Sequence, residues 1–341
     1  MKIKLGELAD IMTGNTPSMK VNEYYDSNDI PFIKPDSFKS HFELEANSFI
    51  SNKAERKARI VESNCILVSC IGIIGKVGIT SQKVAFNQQI NSLNVKPHYD
   101  IEYIAYNLLF NKDRLQRICN SAVVPLINKT QFSDFEISIN KDIIIQRDIK
   151  SKLNLLSSII KKNKKKLLLL DDIVKSRFIE MFGDLIINSK CLNTKKLGEL
   201  FLLKAGITTD SNDILSYMTS SHKYLCYGGN GVRGYTKYFS YSGTFPLIGR
   251  QGALCGNVQL AQGSFHATEH AILVKPLVEY IDVIWAYYAL RALDLFRYHT
   301  GAAQPGISVK TLNNILLPIP ILSEQKKFVL FSNQINKLKF A

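Results

Sequence analysis

The chain has 341 residues, more than one hydrophobic core usually serves, so its length predicts two domains. Its content of 46% hydrophobic and 21% charged residues is typical of a globular protein and excludes a disordered or fibrous chain. Lysine and arginine give the chain a net charge of +14, which favours a polyanionic partner such as nucleic acid. Charge alone does not distinguish such a protein from an ordinary basic one.

The sequence also indicates the compartment in which the protein works. Its densest apolar stretch, LLLLDDIV, is interrupted by two aspartates and is too short to cross a bilayer. The first residues lack the long apolar core of a signal peptide, and the six cysteines show neither a C-x-x-C pair nor regular spacing. We therefore expect a cytoplasmic protein with reduced cysteines and no membrane contact.

In chain order, the sequence blocks of the first half return in the second half. The matching blocks are KLGEL (4–8 and 196–200), SCIGIIGKVGI with RQGALCGNVQL (69–79 and 250–260), LNVKP with ILVKP (93–97 and 272–276), SAVVPLIN with GAAQPGIS (121–128 and 301–308), and a glutamine at Gln146 and Gln325. Five blocks in the same order indicate a tandem duplication. The period is much longer than the roughly 20–50 residues of solenoid repeats, so whole domains are duplicated.

Each domain mixes strand and helix patterns. Short runs rich in Val, Ile and Tyr alternate with turns rich in Gly and Asn, which predicts strands. Apolar spacing predicts one helix over 101–118 and its counterpart over 280–298. We therefore expect an α+β fold in each domain, with a strongly bent sheet or partial barrel.

Residues 143–182 contain neither Pro nor Gly and precede Gly183, which predicts one long helix of roughly 60 Å. A second, shorter helix follows Gln325. Both carry an apolar seam, so we expect them to pair antiparallel and hold the domains apart, with the lysine run at 161–166 as a solvated face. Arg177 fits the seam poorly, and a polar Asn163 on it would fix the register. The predicted packing residues are Ile149, Leu153, Leu156, Ile160, Asn163, Leu167, Leu170, Val174, Phe328, Phe331, Ile335 and Leu338.

These elements divide the chain into four predicted segments. They are a first α+β domain (1–140), a central spacer helix (141–183), a second α+β domain (184–322) and a C-terminal helix that packs on the central one (323–341).

Three matches to enzyme motifs fail on their context. GNGVRG at 229–234 fits a dinucleotide-binding pattern, but no helix is predicted to follow it. PD at 35–36 followed by ERK at 55–57 fits a nuclease pattern that would hold Mg²⁺, yet its parts are short and common. His266 and His270 have the spacing of a zinc pair but no third ligand, so we expect a surface hydrogen-bonding role. We predict no catalytic residue, metal or cofactor in this chain.

Polar and basic residues instead cluster in turns beside glycines, at matched places of both copies. Arg and Lys suit guanine edges, and Asn and Gln suit adenine edges. Any one of them is more often an ordinary loop residue, so the clustering carries the prediction. The candidate DNA-binding residues are Lys76, Asn87, Gln88, Gln89, Asn91, Asn128, Lys129, Asn230, Arg233, Arg250, Gln251, His266, Thr268, Glu269 and Gln304.

Two α+β domains that begin with KLGEL and end with Pro-x-Ile-(Asn/Ser) before a helix resemble the specificity subunit of Type I restriction–modification systems. The resemblance covers essentially the whole chain and includes no catalytic signature. The stretches that carry it are IPFIKPDSF (30–38), LLLLDDIVKSRFIEMFGD (167–184), GGNGVRGYTKYF (228–239), LIGRQGALCGNV (247–258) and LPIPILSEQKKF (317–328).

The resemblance implies that the domains at 1–140 and 184–322 are target-recognition domains, each of which reads one half of a bipartite sequence in double-stranded DNA. The helical pair would set the gap between the halves and dock two methyltransferase (modification) subunits. S-adenosylmethionine would then be bound by those subunits, and ATP and Mg²⁺ by partners that include endonuclease (restriction) subunits. The short C-terminal helix departs from the pattern. A self-contained DNA-modifying enzyme and a coiled-coil scaffold protein are the alternatives.

Overall fold

The computed structural model describes residues 1–119, 124–301 and 304–339. The chain divides into two compact units, Met1–Asn163 and Lys164–Ala341. The division falls inside the central helix, so this helix contributes its first half to one unit and its second half to the other. The mixed α+β fold, with two sheet-rich domains, a long central helix and a C-terminal helix, is confirmed.

The first unit alternates short strands with a few helices, as its Gly- and Asn-rich turns predict. Its elements are β1 (Lys2–Lys4), α1 (Leu5–Leu8), β2 (Ala9–Thr13), β3 (Ile30–Ile33), β4 (Phe49–Ile50), β5 (Ile60–Val61), β6 (Ile66–Ser69), β7 (Val77–Ile79), β8 (Val84–Phe86), β9 (Ile90–Val95), α2 (Ile101–Phe110), α3 (Lys112–Arg117), α4 (Lys129–Asp134), β10 (Glu136–Ser138) and the shared α5 (Ile143–Phe182).

The second unit repeats this order with fewer and longer strands. Its elements are β11 (Asn193–Lys196), α6 (Leu197–Leu200), β12 (Phe201–Ala205), β13 (Tyr224–Gly228), β14 (Gly231–Thr236), β15 (Tyr241–Gly249), β16 (Val258–Ala267), β17 (Ala271–Pro276), α7 (Val283–Ala292), α8 (Val309–Asn313), β18 (Leu316–Ile319) and α9 (Leu322–Lys337). Four single 3₁₀ turns, Asn22–Tyr24, Asn52–Ala54, Ser211–Asp213 and Leu295–Tyr298, complete the elements of the described ranges.

The sheets of the two units have the same plan. In the first unit the strands pair in the orders β2-β9-β6-β7 and β4-β3-β8-β5, and β1 pairs with β10. In the second unit the order is β12-β17-β15-β16-β13-β14, and β11 pairs with β18. The long β16 stands where the first unit has β7 and β8, and the parallel pair β13–β16 matches the parallel pair β3–β8. A break between β7 and β8 therefore divides one bent sheet into two.

The two helices predicted over 101–118 and 280–298 are each shorter than expected. α2 starts at the N-cap Asp100 and ends before Asn111, which separates it from α3. α7 starts at the N-cap Asp282 and gives way to a 3₁₀ turn after Asp294, whose φ of 48° lies in the left-handed region. Helical hydrogen bonds cannot continue through a left-handed residue, so the apolar pattern persists while the helix stops.

The central helix has the predicted bounds, Ile143–Phe182, and α9 packs antiparallel on its second half. Phe328 stacks edge-on against Phe178 and Phe182, with ring centroids 5.2 and 5.7 Å apart. Just past the end of α9, Lys339 pairs with Asp171, so residue numbers rise on one helix as they fall on the other. These contacts confirm the antiparallel pairing within the second unit.

The predicted apolar seam is only partly correct. On the half of α5 that α9 covers, Leu170 and Val174 are buried, as is Phe328 of α9, and Phe331 and Ile335 are half-buried. On the other half, Ile149 packs on the core of the first unit and Leu153 is half-buried. Five predicted positions are exposed in this chain: Leu156 (55%), Ile160 (54%), Asn163, Leu167 (40%) and Leu338 (48%). The α9 helix of 16 residues is too short to cover a partner of 40 residues.

Past Val174 the buried positions of α5 continue in steps of four, at Phe178 and Phe182. A strict heptad step from Val174 would instead bring Met181 to the seam. An α-helix has 3.6 residues per turn, so steps of four follow a straight packed face as readily as a coiled-coil seam. This explains why Arg177 fits the heptad poorly: it lies beside the seam, over the ring of Phe331 at 5.8 Å.

Candidate nucleic-acid interface

Three backbone hydrogen bonds define the same loop arrangement in each unit. In the second unit, Arg250 N donates to His270 O (2.8 Å), and Arg250 O accepts from Ile307 N (2.9 Å). In the first unit, Cys70 N donates to Gln89 O (2.8 Å) and Cys70 O accepts from Ile127 N (2.9 Å).

The third bond in each unit starts at the glycine two residues after Arg250 or Cys70 and ends at the proline of the Pro-x-Ile stretch. Gly252 N donates to Pro305 O and Gly72 N donates to Pro125 O, both at 2.9 Å. We call residues 70–76, 87–90 and 124–128 the first loop cluster, and residues 250–257, 268–270 and 304–308 the second. The duplication read from the sequence therefore extends to individual hydrogen bonds.

Gly72 and Gly252 have a structural reason to be glycine. Both have a positive φ, 74° and 89°, which side chains with a Cβ rarely adopt. A Cβ at either position would meet nothing within 4 Å. Backbone conformation, and not crowding, therefore requires glycine at the turn that presents each cluster.

The first loop cluster exposes only some of its predicted residues. Gln88 is exposed, and its Oε1 accepts from Thr16 Oγ1 at 2.7 Å. Lys76 is half-buried because its Nζ donates to Pro35 O at 2.7 Å. Gln89 is also half-buried, and its Oε1 accepts from Asn87 Nδ2 at 2.9 Å.

Two amides predicted to bind DNA lie inside the first unit. Asn91 is only 1% exposed; its Nδ2 donates to Cys70 Sγ (3.3 Å) and its Oδ1 accepts from Thr13 (2.7 Å). Asn87 is 7% exposed. Burial also raises the pKa of the Cys70 thiol to about 12, so this thiol stays protonated. Base contact by Asn87 and Asn91 is therefore incorrect in this conformation, and both residues support the loop instead.

Asn128 has a role that the sequence interpretation missed. Its side chain accepts from Gln131 N while the Gln131 side chain accepts from Asn128 N, a capping box that starts α4. Ser308 caps α8 by a single bond, which its Oγ accepts from Thr311 N at 3.0 Å. The Asn-x-x-Gln spacing was the available signal. Asn128 and its neighbour Lys129 both remain exposed at the cluster surface.

The second unit presents several donors within its loop cluster and in the neighbouring β13–β14 hairpin. Arg233, Gln251 and Gln304 are exposed and Arg250 is half-buried. Within residues 1–119, 124–301 and 304–339, no carboxylate forms an ion pair with Arg233 or Arg250. Asn230 is exposed in the β13–β14 turn, where Asn257 approaches its Oδ1 at 3.4 Å. Unpaired guanidinium groups are available to phosphate or guanine.

His266 and Thr268 were predicted at the surface, and that is wrong. Both are fully buried at the end of β16. Thr209 Oγ1 donates to Ile207 O (2.7 Å), so its contact with His266 Nε2 (2.8 Å) requires that the imidazole donate. Burial lowers the pKa of His266, opposed by the carboxylate of Glu269. β13 pairs with this strand end and Ile207 forms a β-bridge with Thr268, neighbours that alternation in the sequence did not reveal.

Glu269 lies on the surface side of the contact between Thr209 and His266. Its Oε2 accepts from Thr209 N at 3.2 Å, and its Oε1 lies 3.1 Å from His270 Nε2. Among the residues that the structure describes, each oxygen makes one such contact, which leaves its second lone-pair site for a ligand donor. His266 therefore hydrogen-bonds to Thr209 and His270 contacts Glu269, and only His270 lies near the surface.

The enzyme-like motifs have other structural roles. GNGVRG forms the turn and first part of β14, with no helix after it. Of the acidic residues in the nuclease pattern, Glu55 pairs with Lys83 and Asp36 contacts Asn47. No helix in the described ranges is long and apolar enough to cross a membrane. In those same ranges, no group of three His, Cys, Asp or Glu side chains has the arrangement of a metal site.

Comparison with known proteins agrees with this duplicated architecture. The model of the family "Type I restriction modification DNA specificity domain" matches residues 1–170 and again residues 189–338. The chain is 29% identical over 339 residues to the Type I restriction enzyme EcoprrI specificity subunit of Escherichia coli, which covers 95% of this chain and 84% of that protein.

Two further relatives are more distant or more local. A stretch of 107 residues is 33% identical to the Type I restriction enzyme HindI specificity subunit of Haemophilus influenzae, covering 30% of this chain and 23% of that protein. The crystal structure of a Type-I restriction-modification system S subunit from M. genitalium has the same fold, with a TM-score of 0.63 and 16% identity, over 99% of this chain and 90% of that one. The chain therefore belongs to the family of Type I restriction modification DNA specificity domains and contains that domain twice.

Proposed function

We propose that this protein is the DNA sequence-specificity subunit of a Type I restriction–modification complex, with each unit reading one half of a bipartite target. Membership of the family supports this proposal, and the observation that carries it is the repeated loop cluster. Both clusters are built on equivalent hydrogen bonds and both expose polar or basic side chains. One DNA-reading scaffold present twice is what a target with two halves requires.

The chemistry of the proposed complex belongs to other subunits. Modification subunits would bind S-adenosylmethionine, and restriction subunits would bind ATP and Mg²⁺. The chain itself would supply base contacts and phosphate contacts, acting on DNA in the cytoplasm. Its net charge of +14 favours such contacts and predicts affinity that falls steeply with salt.

The central helix is the proposed docking surface for the modification subunits. Leu155, Leu156, Ile159 and Ile160 are between 44% and 61% exposed on its first half. An apolar stripe on a helix usually packs against something. The same helix would set the number of unread base pairs between the two half-sites.

Genome-wide mapping of modified bases tests the proposal. Cells that express the chain with its cognate modification subunit should gain modification at one bipartite motif, and cells with the modification subunit alone should not. Absence of a motif, with both proteins folded and associated, would contradict the proposal.

Two measurements separate the alternatives. DNA cleavage or methylation by the purified chain alone would favour a self-contained enzyme. Failure of the complex to bind duplex DNA even at low salt would favour a coiled-coil scaffold.

A further inference from the structure

The two loop clusters share one equivalent backbone position whose side chain is chemically different in each unit. In the first unit Gly14 N donates to Ile90 O and Asn15 N donates to Phe86 O, both at 3.0 Å. These two bonds enclose residues 87–89. The loop between them carries Gln88 at its centre.

The second unit repeats this pair of bonds. Gly206 N donates to Ala271 O and Ile207 N donates to Ala267 O, both at 2.9 Å. These bonds enclose residues 268–270, which places Glu269 at the position of Gln88.

Both side chains are held by the segment that follows the first strand of the sheet. Thr16 Oγ1 donates to Gln88 Oε1 at 2.7 Å, and Thr209 N donates to Glu269 Oε2 at 3.2 Å. A tethered side chain has lost much of its rotamer freedom before DNA arrives, so little entropy remains to be lost on binding. Such a residue is suited to reading a base edge.

The Gln88 amide and the Glu269 carboxylate differ in the hydrogen bonds that they can form with a base. The amide of Gln88 both donates and accepts, which matches the N6 donor and N7 acceptor of adenine in the major groove. The carboxylate of Glu269 only accepts, so it matches the N4 amino group of cytosine. Against guanine O6 and N7 or thymine O4 it would oppose acceptor to acceptor, which costs free energy. At adenine the N7 acceptor beside the N6 donor would also oppose the carboxylate, so cytosine is the base that it matches without repulsion.

The neighbours of Glu269 make a carboxylate tolerable near DNA. His270 Nε2 lies 3.1 Å from its Oε1, and the backbone of the cationic Arg250 bonds to the backbone of His270. Glu269 is also the only acidic residue in the sequence of the second loop cluster. Each of the other candidate side chains exposed there carries a donor, so Glu269 alone among them selects only for a donor on the base.

We propose that Gln88 and Glu269 are equivalent specificity-determining residues, with Glu269 selecting cytosine at one position of the second half-site and Gln88 selecting adenine at one position of the first. This inference rests on the proposed function. It assigns a base class to one residue of each unit, which neither the family nor the fold specifies.

Reciprocal substitutions test the inference. Glu269→Gln keeps the side-chain length and an acceptor for Thr209 N, and Gln88→Glu is its matched partner. Each variant is expressed with the cognate modification subunit, and modified bases are mapped across the genome. Glu269→Gln should change or relax one cytosine position of the second half, with preference for cytosine falling roughly tenfold, and leave the first half intact. Gln88→Glu should alter one adenine position of the first half only.

The outcomes distinguish this inference from the proposed function. If the unaltered chain directs no motif, the proposed function fails. If it directs a motif that Glu269→Gln leaves unchanged, or if the variant weakens both halves equally, the base assignment is wrong. A loss of all modification is resolved by binding of the purified complex to oligonucleotides with each base at the affected position, together with Trp285 fluorescence as a folding control. Equal affinities for all four bases in the unaltered complex would then overturn the inference.

Discussion

Replacing the buried Gln325 by alanine should destabilise the second unit by about 3–4 kcal/mol. Gln325 is 0% exposed. Its Oε1 accepts from Asp282 N (2.8 Å), and its Nε2 donates to Tyr280 O (3.0 Å) and Pro320 O (2.9 Å). Losing three hydrogen bonds costs about 1 kcal/mol for each bond. Leaving the N–H of Asp282 unpaired costs about 1 kcal/mol more, and together these losses give this magnitude.

The assay uses the only tryptophan of the chain. Trp285 is fully buried in the core of the second unit, with its ring centroid 6.0 Å from that of Phe182, so its fluorescence reports unfolding of that unit. With a guanidinium m value of about 4 kcal/mol/M, the unfolding midpoint should fall by about 0.8–1 M.

The chain provides a matched control. Gln146 is equally buried in the first unit, where its Oε1 accepts from Asp100 N at 2.8 Å and its Nε2 donates to Asn140 O at 2.7 Å. Gln146→Ala should leave the Trp285 midpoint nearly unchanged, because the hydrogen-bond partners of Gln146 all lie in the first unit and Trp285 reports on the second. An unmoved midpoint for Gln325→Ala, or equal shifts for both variants, would refute the reasoning.

Three further predictions use the same Trp285 signal. Val174→Asp, at a position 2% exposed, should destabilise the second unit by about 3 kcal/mol or more, whereas Leu168→Asp, at 66% exposure, should change it by about 0.5 kcal/mol or less. Because burial lowers the folded-state pKa of His266 below 6.5, the unfolded chain binds more protons, and stability should fall as pH drops below about 6.5. His266→Gln keeps a donor to Thr209, so it should flatten that dependence; an equally steep profile would exclude His266 as its source. Ser308→Ala should lower stability by about 1 kcal/mol through loss of the cap of α8, and Ser308→Asn, the first unit's residue type, should restore it; equal losses would argue against capping.

Much of the architecture could be predicted from the sequence, because it depends on local patterns. The central helix was predicted over 143–182 because no Gly or Pro interrupts it, and the structure has these bounds. The equivalence of Gln146 and Gln325 was visible as an aligned residue. What each glutamine does was not, since its hydrogen-bond partners lie in other segments, at Asp100 and Asp282.

The candidate site was predicted less well, because burial depends on strand neighbours that sequence does not show. His266 and Thr268 have the composition of an exposed turn, yet His266 pairs with Cys226 of β13 and packs against Tyr238, and Thr268 forms a β-bridge with Ile207. Asn91 lies within β9 between β2 and β6 and is enclosed for the same reason. Residues in the turns between strands, such as Gln88 and Asn230, were correctly expected at the surface.

The pattern of agreement between the two units has a physical explanation. The hydrogen bonds that build each loop cluster join backbone groups, so they place few demands on side chains. Arg250 stands where the first unit has Cys70, and Glu269 stands where it has Gln88, without loss of a single one of the shared bonds. A scaffold held by its backbone can therefore change the side chains that face a ligand while keeping their positions. If the proposed function is correct, two copies of one fold can read two different half-sites for this reason.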